Sequence, residues 1–252
     1  MEESLLVEAI VKKILDSVKN VKLIPIEASA KHVHLSQEHI DKLFGKGYKM
    51  TKKRELSQPG QFLCEERVRI IGPKNVIEGV AILGPPRKRT QVEISMTDAR
   101  ILGMNPPLRE SGNLEGSSNI YIAGEKGIVD ARESVIIAKR HIHMSFEDAQ
   151  KFNVENNQSV KVRVKSMRPV VFEDVIVRVS DKYKLSMHID YDEANAAGFE
   201  NGVMGELITY PFELNLSNTH EIEPSKVLTN EEKRITKKVI VEKDVEGLFK
   251  KG

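Results

Sequence analysis

The phrase "AKHVHLSQE" at residues 30–38 returns as "KRHIHMSFE" at residues 139–147, and a pattern written twice in one register points to two copies of one supersecondary unit. Setting His32 over His141 pairs Val33 with Ile142, His34 with His143, Leu35 with Met144, Ser36 with Ser145 and Glu38 with Glu147, at an offset of 109 throughout. Further on, "QVEISMTDAR" lies over "SMHIDYDEAN" at an offset of 95, which places Glu93 over His188. The first copy therefore carries about 14 additional residues, most simply in "KGYKMTKKRELSQPGQF". The repeated units span residues 22–110 and 130–200 and are expected to pack as a pseudo-symmetric pair.

Short β-branched runs such as "RVRII", "VAIL", "VKVRV" and "VVFEDVIVRVS" alternate with "GPK", "GPP", "NPP", "ESGN" and "GEKG". Many short strands with Gly/Pro turns predict a mainly β fold, either sandwich or barrel. Brief helices are expected after each His-x-His phrase, where Ser36 and Ser145 stand in capping positions. Residues 4–19 place Val7, Val11, Ile14, Leu15 and Val18 at helical spacing, an amphipathic helix ahead of the first extended run.

Charge narrows the function. With 39 basic and 37 acidic residues the net charge is +2, so no global field favours nucleic acid or a membrane surface, and any anion site must be local. The single cysteine, Cys64, excludes an internal disulfide and suits a reducing compartment. The acidic "MEESLL" start and the charges at Glu8, Lys12 and Lys13 give neither a signal peptide nor a spanning helix. A cytosolic location is expected.

In a strand, residues i and i+2 leave from one face, so His32 and His34 can converge on one point, and so can His141 and His143. On a helix the same spacing would send them about 200° apart. Glu93 and His188 then supply a third donor to each pair. The resulting His₂Glu and His₃ sets are those of a catalytic zinc that keeps one position open, and the lack of thiolates argues against a closed structural site. A lone His-x-His is more often a surface or hydrogen-bonded pair; two in register, each with a spaced third donor, favour ligation. Of the remaining histidines, His39 and His220 read as surface residues.

In "LGPPRKRTQVEIS", Arg87, Lys88 and Arg89 crowd three cations just before Glu93. A solvated basic loop is the ordinary meaning of such a run. The alternative is that Arg87, six residues from Glu93, holds an anion beside the metal through its planar fork. Cys64 in "QFLCEERVRI" reads as a small buried residue, with an acyl-carrying nucleophile as its rival.

Taken together, "SAKHVHLSQEHIDKLFG", "LSQPGQF", "ILGPPRKRTQVEISMTDARILG", "RESG", "AKRHIHMSFEDA" and "VSDKYKLSMHIDYDEANAAG" resemble the PduL-type phosphotransacylase (phosphate propanoyltransferase) family. The resemblance covers about residues 22–200 and implies two pseudo-symmetric small β-barrel domains from an internal duplication, capped by short helices. On that basis residues 22–129 form the first barrel and 130–205 the second, with residues 1–21 an amphipathic helix and 206–252 an extension of unknown role. The implied activity is reversible transfer of a short acyl group, propionyl or acetyl, between coenzyme A and inorganic phosphate at two zinc ions per chain. His32, His34 and Glu93 resemble the ligands of one ion, and His141, His143 and His188 those of the other. Arg87 corresponds to the phosphate-binding arginine. Coenzyme A contacts are implied at Ala28, Ser29, Ala30, Lys74 and Asn195, and Arg109 and Ser111 of "RESG" are further candidates. Some family members carry an amphipathic leader that targets them into the lumen of bacterial microcompartments through shell proteins, and residues 4–19 are similar in character; the alternative is a helix packed on its own barrel or across a homodimer.

Two other classes use the same residues. A zinc-dependent acyl-thioester hydrolase would activate water, whose pKa falls to about 7 on zinc, but would have no need of Arg87. A non-catalytic interaction module would have no reason to keep donor sets in both copies.

Overall fold

The structure is a computed structural model and describes residues 22–208. The amphipathic helix expected at residues 4–19 and nearly all of the 206–252 extension lie outside the described residues. No helix among them is long and apolar enough to cross a membrane.

The first copy runs β1 (Leu23–Ser29), β2 (His32–His34), α1 (Gln37–Phe44), β3 (Lys52–Glu55), β4 (Phe62–Ile71), β5 (Val76–Gly84), β6 (Gln91–Glu93), α2 (Met96–Leu102), β7 (Leu108–Arg109) and β8 (Ser118–Ala123). The second repeats the plan without the small additions: β9 (Ile128–Ala138), β10 (His141–Met144), α3 (Phe146–Phe152), β11 (Ser159–Lys165), β12 (Val170–Val179), β13 (Ser186–Asp190), α4 (Tyr191–Ala196) and β14 (Met204–Ile208). The extra stretch in copy one contains β3, which lies on the outer edge of β4.

Each copy closes a six-stranded ring, and the rings match strand for strand. In the first the order is β4-β5-β2-β6-β9-β8 and back to β4. In the second it is β11-β12-β10-β13-β1-β14 and back to β11. Parallel and antiparallel pairs fall in the same places in both. Closure leaves no exposed edge within either ring, which a sheet this small otherwise has to protect.

The pairing corrects the expected division at residue 130. β1 opens the first copy but pairs with β13 and β14 of the second barrel, while β9 opens the second copy but pairs with β6 and β8 of the first. The cores follow the strands. Ile24 and Ile26 of β1 pack with Ile142, Val162 and Met187, whereas Val129, Ala131 and Val135 of β9 pack with Val33, Val68 and Val92. The repeat in sequence marks copies of a unit, and the unit donates its first strand to its twin. The second barrel also runs on to Ile208 rather than ending at 205, because β14 pairs with both β1 and β11 through that point.

The chain passes between barrels at residues 30–31 and 139–140, and each crossing is pinned in the same way. Lys31 pairs with Asp98 at 2.9 Å and Arg140 with Glu193 at 3.0 Å. Those carboxylates are the third residues of α2 and α4 and also complete capping boxes with Ser95 and Asp190. A bond from the Thr97 amide to Asp192 Oδ2 at 2.8 Å joins the two helix starts. His39 is not a free surface residue: it is half-buried, with its Nδ1 2.8 Å from the Thr90 hydroxyl.

Candidate metal and anion site

Both His-x-His phrases are strands, β2 and β10, so their histidines share a face as the spacing requires. Antiparallel pairing sets His32 opposite Glu93 and His141 opposite His188, which brings the third donor of each set across from the first. The first histidine of each set is oriented by the crossing that precedes it. His32 Nδ1 lies 2.8 Å from the Ala30 carbonyl and His141 Nδ1 2.9 Å from that of Lys139, so each ring presents Nε2 to the site. His34 Nδ1 and His143 Nδ1 are buried without a hydrogen-bond partner. Two such atoms at equivalent places, each costly to leave unmet, are what an ion on both sets would satisfy.

His32, His34 and Glu93 hold one donor atom each within 4.8 Å of one another, the only such group among the described residues. In the second set the rings gather with centroids 4.7, 4.9 and 5.3 Å apart, but His188 turns its Nε2 to the Ser186 hydroxyl at 2.9 Å.

The electrostatics hold His34, Glu93, His141, His143 and His188 in ligating form. Burial pushes His34 and His141 below the usual imidazole range. Burial and the neighbouring histidines take His143 down to about 2 and His188 to about 3. Glu93 is opposed by burial, yet His32, His34, the Ser111 hydroxyl and Arg87 outweigh it and hold its carboxyl at about 2. Neutral imidazoles and an ionised carboxylate are the donors a divalent cation needs.

Both sets open on one cavity of about 670 Å³, lined from both barrels. Arg87 stands at its wall, with its amide on the Leu35 carbonyl at 2.8 Å and its guanidinium 3.4 Å from Ser111 Oγ. Ser111 in turn donates to Glu93 Oε1 at 2.9 Å, so the arginine and the first set share a hydroxyl. Ala28, Ser29 and Ala30 also line the cavity. Asn195 does not; it lines an adjoining groove that shares Glu27, Ala28 and Tyr191 with it.

Lys74 and Arg109 are not brought there. Lys74 sits in the β4–β5 turn, its side chain packed against Gly103. The cavity is at the other end of that hairpin, where Leu63 pairs with Leu83. At about 3.3 Å per residue, the long β4 strand separates the two. Arg109 lies on β7, where its carbonyl accepts from the Lys139 amide at 2.8 Å.

Arg178 and Gln58 line the cavity and were not legible in the sequence. Arg178 is the β12 partner of His143; the repeat hides it, because its counterpart beside His34 is Leu83. Gln58 lies in the extra stretch of copy one and has no counterpart at all. Cys64 is buried in the first core, and burial pushes its thiol up to about 11, where it stays protonated.

Residues 25–200 match the family model for phosphate propanoyltransferase. A phosphate propanoyltransferase of Clostridioides difficile is 51% identical over 203 residues, covering 81% of this chain and 97% of the relative. One from Enterococcus faecalis is 50% identical, with 81% and 95% covered, and one from Alkaliphilus metalliredigens 52% identical, with 81% and 96% covered. With the match running through both His-x-His strands and into α4, the chain belongs to the phosphate propanoyltransferase family of acyltransferases.

Proposed function

We propose that the chain moves a short acyl group, propionyl or acetyl, between coenzyme A and inorganic phosphate, with zinc at both donor sets. The observation that carries this reading is the convergence of two equivalent donor sets and Arg87 on one cavity between the barrels. His32, His34 and Glu93 would hold one ion and His141, His143 and His188 the other, the Ser186 hydroxyl on His188 Nε2 leaving Nδ1 as the donor. Bound there, zinc supplies Lewis-acid stabilisation of negative charge on oxygen.

The chain's own residues do the rest. Arg87 binds phosphate by its fork and turns one oxygen toward the thioester carbonyl, replacing a chance encounter by an arranged one. That oxygen forms a bond to the carbonyl carbon, the carbon–sulfur bond breaks, and coenzyme A leaves as a thiolate whose thiol pKa is near 8.5 on the reference scale. Arg178, facing the cavity from the second barrel, offers a cation to the oxygen that becomes negative during attack. The protonated, buried Cys64 leaves direct attack by phosphate as the favoured route. Ala28, Ser29 and Ala30 at the cavity and Asn195 in the adjoining groove suit a long ligand such as coenzyme A, with Arg54 and Arg67 as further cations on the cavity wall.

Thiol release from propionyl-coenzyme A, followed with a thiol-reactive dye, tests the reading. Release is expected only when phosphate is present. Release without phosphate would make the protein a thioester hydrolase, and none from zinc-loaded protein would remove the enzymatic reading.

A place in the lumen of a bacterial microcompartment is proposed for residues 4–19 acting as a leader. Deleting residues 1–19 should then leave turnover unchanged and abolish co-sedimentation with shell protein; lost turnover would instead mark a helix that packs on the enzyme.

A further inference from the structure

We infer that Gln58 is a positioning residue for the second histidine set, reaching into it from the extra segment of the first copy. The inference rests on the proposed role of His188. Glu93 and His188 occupy equivalent places, and each is bonded by the side chain two residues earlier on the same strand face, Gln91 for Glu93 and Ser186 for His188.

Those two helpers differ in reach. Gln91 is long enough to anchor itself on the 111–112 turn, donating to Ser111 Oγ at 2.8 Å and accepting from the Gly112 amide at 2.9 Å. Ser186 is too short to do the same. Its anchor arrives from the other copy: Gln58 Nε2 donates to Ser186 Oγ and to the Lys184 carbonyl, both at 2.8 Å, while Gln58 Oε1 accepts from the Lys184 amide at 3.2 Å. Both donors and the acceptor of this carboxamide are thus used, and the side chain is buried. A saturated buried amide of this kind has one favourable orientation and transmits it to whatever it touches.

The same segment acts on the opposite side of the ring. Ser57 Oγ donates to Glu27 Oε2 at 2.5 Å, and that oxygen lies 4.0 Å from His188 Nδ1. One short stretch of the first copy therefore bears on both nitrogens of a histidine in the second barrel. Its lack of a repeat counterpart has a use: it supplies the reach that serine in place of glutamine took away.

Nitrogen NMR of the imidazoles in metal-free protein, with zinc competition against a chromophoric chelator, tests this. Gln58→Leu and Ser186→Ala should each shift the His188 ring-nitrogen signals. Each should also weaken one of the two zinc ions by about 10–100-fold, the usual effect of an outer partner, while the other ion keeps its affinity. Ser186→Thr, which keeps the hydroxyl, should restore both readouts. Unmoved His188 signals in the first two variants, or an equal loss at both ions, would overturn the inference. A parent protein that takes up no zinc, while the variants still move His188, would remove the metal reading and leave the positioning role supported.

Discussion

Replacing Arg87 with alanine is expected to lower kcat/KM for phosphate by about 10²–10³-fold, the loss seen when one preorganised donor to a developing charge is removed. The guanidinium is half-buried, and burial depresses its pKa, so an anion beside it would offset part of the cost of desolvating a charge that is always present. Glu93 is the carboxylate that favours its charge, and it already serves His32, His34 and Ser111. Phosphate would meet a cation with its backbone fixed by Leu35 and spare donors facing the cavity. Lysine at the same place keeps the charge and loses the planar fork, so Arg87→Lys should fall between parent and alanine. Initial rates across a phosphate series separate KM from kcat. An Arg87→Ala enzyme with the parental KM for phosphate would sink the assignment.

Replacing His143 with alanine is expected to remove one of two zinc ions per chain and to cost more activity than the about 100-fold that an outer partner costs. His143 Nδ1 is buried and has no hydrogen-bond partner, so deleting the imidazole also deletes an unmet polar atom. The metal-free variant should therefore melt close to the metal-free parent, while the zinc-loaded pair separate widely. Metal content after dialysis, read beside the two melting temperatures, distinguishes a ligand from a packing residue. Two ions retained by His143→Ala would remove it from the donor set. The same experiment at His34 should empty the other site, because its Nδ1 is stranded at the equivalent place.

What could be read from the chain and what could not divide along a physical line. The gathering of each His-x-His pair with its third residue was legible because a strand keeps i and i+2 on one face and duplication repeats the pattern. Glu93 and His188 could be found because the same strand recurs at a constant offset, and the pairing sets them opposite His32 and His141. Arg178 could not, since only one copy carries it. Gln58 could not, since its partners are 126 and 128 residues away and its own segment is unrepeated. Lys74, implied as a coenzyme A contact by the resemblance alone, lies at the far end of the β4–β5 hairpin from the cavity, a separation that no sequence spacing reveals. The strand exchange was invisible for a related reason: β1 has the same apolar alternation whichever barrel it completes.

That exchange governs how the molecule can come into being and how it can change. It is the arrangement that joining, end to end, two copies of a unit paired by swapping first strands would produce. A fragment ending at residue 127 would hold five of the six staves of its own barrel and a sixth that fits only its absent twin. On the ribosome neither barrel can close before β9 has emerged, and the second also waits for β14 to pair with a strand made at the very start. Among the described residues, the cavity between the barrels is therefore complete only once β14 has emerged. Neither half can be inherited, lost or redesigned without the other.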